Sequence, residues 1–234
     1  MKILSADFVT SAAAGGRADG IPADGLAQIA FAGRSNVGKS TLLNGLAHRR
    51  LARTSAAPGK TRLANIFRLS VEGGPGGPGR WGVYFVDLPG YGYARGGDDS
   101  ATELAAVAKA YFEYRDSQFA VRGSDVGDDS TNRESLAANR GRERTNHATL
   151  LLIDARHPGL ELDVQAHRWL TSAAGPPQVV ATKVDKLSRS ERGRNLKALE
   201  RIFGSTPLPV SAAGGEGLDE LWRLIARVAR EQPR

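Results

Sequence analysis

Apolar residues recur along the chain in short blocks, separated by amphipathic stretches or by clusters of glycine and proline. Residues 26–32 (LAQIAFA) form a compact apolar strand ahead of a glycine-bearing loop, and residues 41–47 (TLLNGLA) open a helix behind it. Residues 63–71 alternate as a strand does, GGPGGPG at 73–79 can only be a turn, and residues 80–86 carry the return strand. Those two strands are expected to pair antiparallel. Helical periodicity covers residues 101–114, 162–173, Arg189–Phe203 and Leu218–Arg230, with short apolar strands at 150–153, 179–181 and 208–210 between the later helices. Strands alternating with helices make βαβ units. The expected fold class is therefore α/β: a mixed, mostly parallel six-stranded sheet with helices on both faces.

Two stretches fall outside this rhythm. Residues 11–25, rich in Ala, Gly and Asp, read as a loop. Between the helix ending near residue 115 and the strand near 148 lie about thirty residues of Ser, Asp, Asn, Gly and Arg, far beyond a usual connection. With few large apolar side chains, this segment cannot bury enough surface to offset the entropy of ordering. Residues 117–147 are expected to be a disordered or weakly helical insertion in a single domain spanning 1–234.

Composition narrows the class of protein. At 41% hydrophobic and 24% charged, the chain is that of a globular domain, and no apolar run approaches bilayer length. The first ten residues carry Asp7 and lack a basic start followed by a long apolar core, so they do not read as a signal peptide. Cysteine is absent, which removes disulfide and thiolate chemistry and fits a cytoplasmic location. Lys and Arg exceed Asp and Glu by 32 to 25. The excess gathers at Arg49, Arg50, Arg53, Lys60 and Arg62, and again between Lys183 and Arg201. These runs admit two readings, a solvated surface and a polyanion-binding face.

The chemistry lies in the loops after the strands. GRSNVGKS at 33–40 matches the phosphate-loop pattern G-x-x-x-x-G-K-[ST]. Gly33 and Gly38 let backbone N–H groups wrap a phosphate chain, Lys39 reaches the β- and γ-phosphates, and the Ser40 hydroxyl ligates Mg²⁺. An apolar strand enters the loop and a helix leaves it with its positive end toward the phosphates. Asp87, opening DLPGYGY, can supply an acid to that Mg²⁺ through a water, and Gly90 can offer its N–H to the γ-phosphate. By itself, the heptapeptide is also an ordinary Pro-Gly turn. TKVD at 182–185 ends another strand. Asp185 can accept two hydrogen bonds from the N1–H and N2–H₂ edge of guanine, which adenine does not offer, while the Lys183 stem packs along the base. The bland alternative for Asp185 is a helix cap, although Ser188 with Glu191 makes a better capping box. Ser211, Ala212 and Ala213 follow the last strand as a weaker base-loop signal, and Thr61 could complete the Mg²⁺ shell. The order and spacing of these elements together point to a GTPase.

On FAGRSNVGKSTLLN at 31–44, LARTSAAPGKTR at 51–62, FVDLPGYGYA at 85–94, LLIDARHPGLELD at 151–163, TKVDKLS at 182–188 and VSAAGGEGLDELW at 210–222, the chain resembles the EngB (YihA/YsxC-type) family. These are ribosome-assembly GTPases of the TrmE-Era-EngA-EngB-septin-like class, with a Ras-like P-loop domain. The resemblance implies that the nucleotide is contacted by Gly33, Arg34, Ser35, Asn36, Val37, Gly38, Lys39 and Ser40, by Gly59, Lys60, Thr61, Arg62 and Leu63, and by Asp87, Leu88, Pro89 and Gly90. It implies the same of Thr182, Lys183, Val184 and Asp185 and of Val210, Ser211 and Ala212. Ser40 and Thr61 would be the Mg²⁺ ligands, and Lys39, Thr61 and Gly90 the candidate catalytic residues. It further implies large-subunit ribosome assembly, with large-subunit particles or rRNA as partner, and a link to cell division and septation. A cytoplasmic monomer with no membrane association is expected.

In Ras-like GTPases a Gln follows this glycine and orients the attacking water. Here the residue is Tyr91, whose ring cannot do so in the same way. The site looks catalytically incomplete alone, and the turn is expected to present Tyr91 and Tyr93 to a partner. Asn36 resembles the residue that binds K⁺ in some related GTPases; a structural loop Asn is the alternative. Gln28 stands where the family usually has Glu, and the Asp154-Ala155-Arg156-His157 run matches the family without an evident chemistry, so a structural role beneath the nucleotide-base loops is expected rather than catalysis. Two rival functions remain: an RNA-binding module using nucleotide only structurally, and a P-loop ATPase or small-molecule kinase.

Overall fold

The computed structural model describes residues 1–13, 21–51, 63–74, 77–91, 106–113 and 147–230. The strands are β1 (Lys2–Ala13), β2 (Ala27–Gly33), β3 (Leu63–Glu72), β4 (Arg80–Asp87), β5 (His147–Asp154), β6 (Gln178–Thr182) and β7 (Leu208–Val210). The helices are α1 (Lys39–Ala47), α2 (106–113), α3 (Glu161–Ala174), α4 (Arg189–Phe203) and α5 (Leu218–Arg230). A single 3₁₀ turn, Val184–Lys186, follows β6.

The strands form one sheet in the order β1-β3-β4-β2-β5-β6-β7. β1 and β3, and β3 and β4, pair antiparallel, while the remaining neighbours are parallel. The expected mixed, mostly parallel sheet is thus present, but with seven strands rather than six. The addition is β1, which forms the edge beside β3 and reaches Ala13, into the stretch expected to be loop. Its register with β3 shifts between Ile3 and Ser5 and again between Phe8 and Thr10. Such bulges break the two-residue alternation by which a strand is recognised. The predicted insertion lies outside the described residues except for His147, which opens β5.

The central strands are buried on both faces, so they read as continuous apolar runs. Ile29 and Phe31 of β2, Val83 and Phe85 of β4, and Leu150 and Leu152 of β5 face one layer with Leu42 and Leu46 of α1 and Trp222 and Ile225 of α5. Their alternate neighbours, among them Ala30, Val86, Leu151 and Ile153, face the layer of Tyr111, Phe112, Leu170 and Leu199 from α2, α3 and α4. Phe85 stacks between Phe31 (ring centroids 5.0 Å) and Trp222 (5.7 Å), tying β2, β4 and α5 together. Gln28, buried in β2, donates to the Pro22 carbonyl (2.9 Å) and accepts from the Tyr111 hydroxyl (2.8 Å). The four parallel strands β2, β5, β6 and β7, with β4, therefore deliver their C-terminal ends to one edge of the sheet, where open α/β sheets bind ligands.

Candidate phosphate and base site

The loop between β2 and α1 is shaped by two residues with left-handed backbone, Asn36 (φ 63°) and Gly38 (φ 105°). Such reversals turn successive N–H groups toward one concavity, which is an anion nest. Gly38 caps α1 with no side-chain hydrogen bond, so the first amides of the helix stay open to an anion. Gly33 is fixed by space. A Cβ there would lie 2.9 Å from Val37 Cγ1 and 3.0 Å from the Leu152 carbonyl oxygen.

The DLPGY turn is docked on this loop. Leu88 N–H donates to the Phe31 carbonyl (3.1 Å), Tyr91 N–H to the Gly33 carbonyl (3.3 Å), and Ser35 N–H to the Tyr91 carbonyl (2.9 Å). Gly90 lies so close that a Cβ would come within 3.2 Å of Ser35 N and Oγ. Lys39 Nζ forms an ion pair with Asp87, itself 5% exposed at the end of β4. A lysine and an acid thus meet at the mouth of the nest, where one can turn to phosphate and the other to a phosphate-bound cation.

The β6 end holds the loop from the other side. The Thr182 hydroxyl donates to the Val37 carbonyl (2.7 Å), with the Ile153 carbonyl also in reach (3.1 Å). Lys183 adopts a left-handed backbone (φ 59°) and donates from Nζ to the Asn36 carbonyl (2.6 Å) and to Asp154 Oδ2 (3.0 Å). A non-glycine residue there costs on the order of 1 kcal/mol. The conformation coincides with a lysine that spans the phosphate loop and the end of β5. Asp154 also accepts from Arg156 Nε (2.9 Å), Nη2 (2.7 Å) and backbone N–H (3.1 Å). Burial opposes ionisation of Asp154, but these bonds from Arg156 and Lys183 outweigh it and hold the carboxyl far below its ordinary range.

Asp185 is steadied by Ser211, whose hydroxyl donates to Oδ1 (2.7 Å) and accepts from Gly214 N–H (3.0 Å). That hydroxyl bond is the main reason the Asp185 carboxyl lies below its ordinary range, with Lys186 assisting. Ser211 is 1% exposed, and its N–H is bound by the Glu216 carbonyl (2.9 Å). An ionised carboxylate, aimed by a buried serine and keeping free lone pairs, can accept paired donors from a base edge. The capping box of Ser188 and Glu191 is present and starts α4, so Asp185 is not needed as its cap.

The structure thus brings together residues 33–40, 87–90 and 182–185 with Ser211. Gly59, Lys60, Thr61 and Arg62 lie outside the described residues, as does Tyr93. The expectation that Tyr91 faces a partner is corrected. It is 7% exposed, and its hydroxyl donates to Asp163 Oδ1 (3.0 Å) in the first turn of α3. Burial, then the Asp163 charge, raises the Tyr91 pKa well above its ordinary value. Asp154, in the run expected to play a structural role beneath the base loops, bonds Lys183 there, whereas nothing in the sequence marks Asp163 as the partner of Tyr91. An acid in the first turn of a helix is too common to mark itself.

Residues 28–183 match the family model described as 50S ribosome-binding GTPase. The chain is 38% identical over 226 residues to a probable GTP-binding protein EngB of Solibacter usitatus, covering 96% of each chain. It is also 38% identical over 233 residues to that of Pelotomaculum thermopropionicum, covering 97% of this chain and 96% of the relative. Among solved structures, a probable GTP-binding protein engB superposes with a TM-score of 0.53 at 22% identity, over 88% of this chain and all of the other. Era of Aquifex aeolicus, in a point variant bound to GDP and AlF₄⁻, does so at 0.60 and 23%, over 88% of this chain and 58% of the other. The structural likenesses establish the Ras-like GTPase fold, and the sequence likeness over nearly the whole length establishes more: the chain belongs to the EngB family of GTP-binding proteins.

Proposed function

We propose that this protein is a slow GTP/GDP switch that acts on large ribosomal particles during their assembly and is needed for normal cell division and septation. The observation that carries the reading is the meeting of the phosphate loop, the DLPG turn and Asp185 at one sheet edge in a chain of this family. Residues 33–40 would wrap the phosphates, Lys39 would leave Asp87 for the β- and γ-phosphates, and the Gly90 amide would meet the γ-phosphate. Thr182, Lys183, Val184 and Asp185, with Val210, Ser211 and Ala212, would form the base pocket. Gly59, Lys60, Thr61, Arg62 and Leu63 would complete the phosphate side.

Mg²⁺ suits the donors. The Ser40 hydroxyl and the Asp87 carboxylate are hard oxygens, and among the described residues no group of three His, Cys, Asp or Glu forms a protein cage. Such a set suits an ion held mainly by phosphate and water, with Ser40 and Thr61 as direct ligands. When bound, Mg²⁺ neutralises charge on the β- and γ-phosphates.

A slow intrinsic rate is supported by Tyr91, which stands where Ras-like GTPases have a water-orienting Gln and whose hydroxyl donates to Asp163. A rate on the order of 10⁻³ s⁻¹ or below is expected, and a partner supplying positive charge could add about 10³–10⁵-fold. K⁺ held at Asn36 is a second candidate activator, tested by exchanging sodium for potassium. The net charge of +7 supports contact with rRNA. The test is co-sedimentation of a cytoplasmic, monomeric protein with large subunits, in GDP, in a non-hydrolysable GTP analogue and without nucleotide, across a salt series. Binding favoured by the GTP analogue and weakened by salt is expected. Equal binding in all three states would reject the switch and leave a basic protein adhering to RNA.

A further inference from the structure

Two side chains from separate parts of the chain, Arg34 and Tyr91, meet at one buried carboxylate. Asp163, in the first turn of α3, has no exposure, and it accepts from Arg34 Nε at 3.0 and 3.2 Å and from the Tyr91 hydroxyl at 3.0 Å. Arg34 opens the phosphate loop, and Tyr91 closes the DLPGY turn. Their backbones also form a parallel bridge, flanked by the Tyr91 N–H bond to Gly33 and the Ser35 N–H bond to Tyr91. A buried acid is costly unless its partners are supplied, and here both come from the two segments that flank the phosphate nest. The positive end of α3 adds to its support.

We propose that Asp163 is a positioning residue that clamps the start of the phosphate loop to the end of the sensing turn. The Gly90 amide then sits at a fixed distance from the loop amides, and both respond to a γ-phosphate as one unit. Asp163 itself touches no nucleotide. Its effect should fall on what depends on Gly90, namely preference for GTP over GDP and the rate of hydrolysis. Retention of GDP, through the loop amides and Asp185, should be spared. The inference rests on the nucleotide site proposed above.

The experiment compares wild type, Tyr91→Phe, Asp163→Asn and the double variant. Affinities for GDP and a non-hydrolysable GTP analogue, single-turnover GTP hydrolysis and melting temperature are measured for each. Tyr91→Phe removes one donor and keeps the ring; Asp163→Asn keeps volume and one acceptor but loses the charge. Each should lower the analogue-to-GDP affinity ratio and the hydrolysis rate about tenfold, the scale of one hydrogen bond to a charged group, with GDP affinity kept within about threefold. The double variant should be no worse than the weaker single, because both act through one clamp. An unchanged ratio and rate in Tyr91→Phe would overturn the proposal, as would a parallel loss of GDP and analogue binding in that variant. Tyr91→Phe keeps the test decisive if Asp163→Asn does not fold. Wild-type protein that fails to bind GDP would instead reject the underlying site.

Discussion

Replacing Asp154 by Ala should weaken GDP binding although Asp154 stands behind the base loop. Lys183 Nζ has two acceptors, the Asn36 carbonyl at 2.6 Å and Asp154 Oδ2 at 3.0 Å, and the substitution removes the charged one. A hydrogen bond between charged groups contributes about 1.5–3 kcal/mol when shielded. Asp154 is shielded, at 6% exposure, but the lysine is 27% exposed and water can take over part of the interaction. Screening trims the loss to about 1–1.5 kcal/mol, or about five- to tenfold in GDP affinity. Arg156, 41% exposed, can turn to solvent, so the fold should survive. The assay is a titration with fluorescent GDP on wild type, Asp154→Ala, Lys183→Ala and the double variant. If Asp154 works through Lys183, its removal should cost almost nothing once Lys183 is Ala, and the coupling should be about 1 kcal/mol. Equal losses in both backgrounds, or no loss in wild type, would refute the link.

Two further outcomes follow from the same geometry. The Asp154 carboxyl is held below its unfolded value of 3.8, so the unfolded chain binds more protons in that range; its contribution to stability is complete above that value and is lost as pH falls through the folded one. Asp154→Asn should therefore flatten the acid side of a melting-temperature profile below about pH 5 and leave it unchanged nearer neutrality, and an equally steep acid limb would contradict the assignment. Ser211→Ala removes the donor to Asp185 and strands the Gly214 amide, so GDP affinity should fall about fivefold in equilibrium titration. Unchanged affinity would mean that Asp185 is oriented without Ser211.

What the sequence disclosed, and what it withheld, has a physical pattern. The bounds expected for β7, α4 and α5 coincide with those observed, and α4 shows why most clearly, since the Ser188–Glu191 capping box starts it and Gly204 ends it. β1 was hidden by its two bulges and by the consecutive exposed residues Asp7, Phe8 and Val9, which show no alternation of buried and exposed positions. The phosphate loop and Asp185 were legible as candidates because the pattern G-x-x-x-x-G-K-[ST] and the TKVD run fix residue types at fixed spacing. The burial of Tyr91 was not, since it depends on Asp163, 72 residues further along the chain. Nor does the DARH run reveal that Asp154 faces Lys183, because that contact arises only when β5 and β6 pair in register, with Asp154 opposite Thr182. Local spacing encodes the groups proposed to meet the nucleotide, while the groups packed against them are brought there by the fold.

Base recognition by Asp185 is the most direct test of the account. Wild type and Asp185→Asn are titrated with labelled GDP, xanthosine diphosphate and ATP in the presence of Mg²⁺. Wild type should prefer GDP to ATP strongly, since a site built on hydrogen bonds to a specific edge discriminates by roughly 10⁴-fold. The variant should lose GDP and gain xanthosine diphosphate, whose carbonyl needs a donor where guanine offers one. GDP affinity that survives Asp185→Asn, or ATP bound as tightly as GDP by wild type, would contradict the assignment of this edge of the sheet as a guanine-nucleotide site.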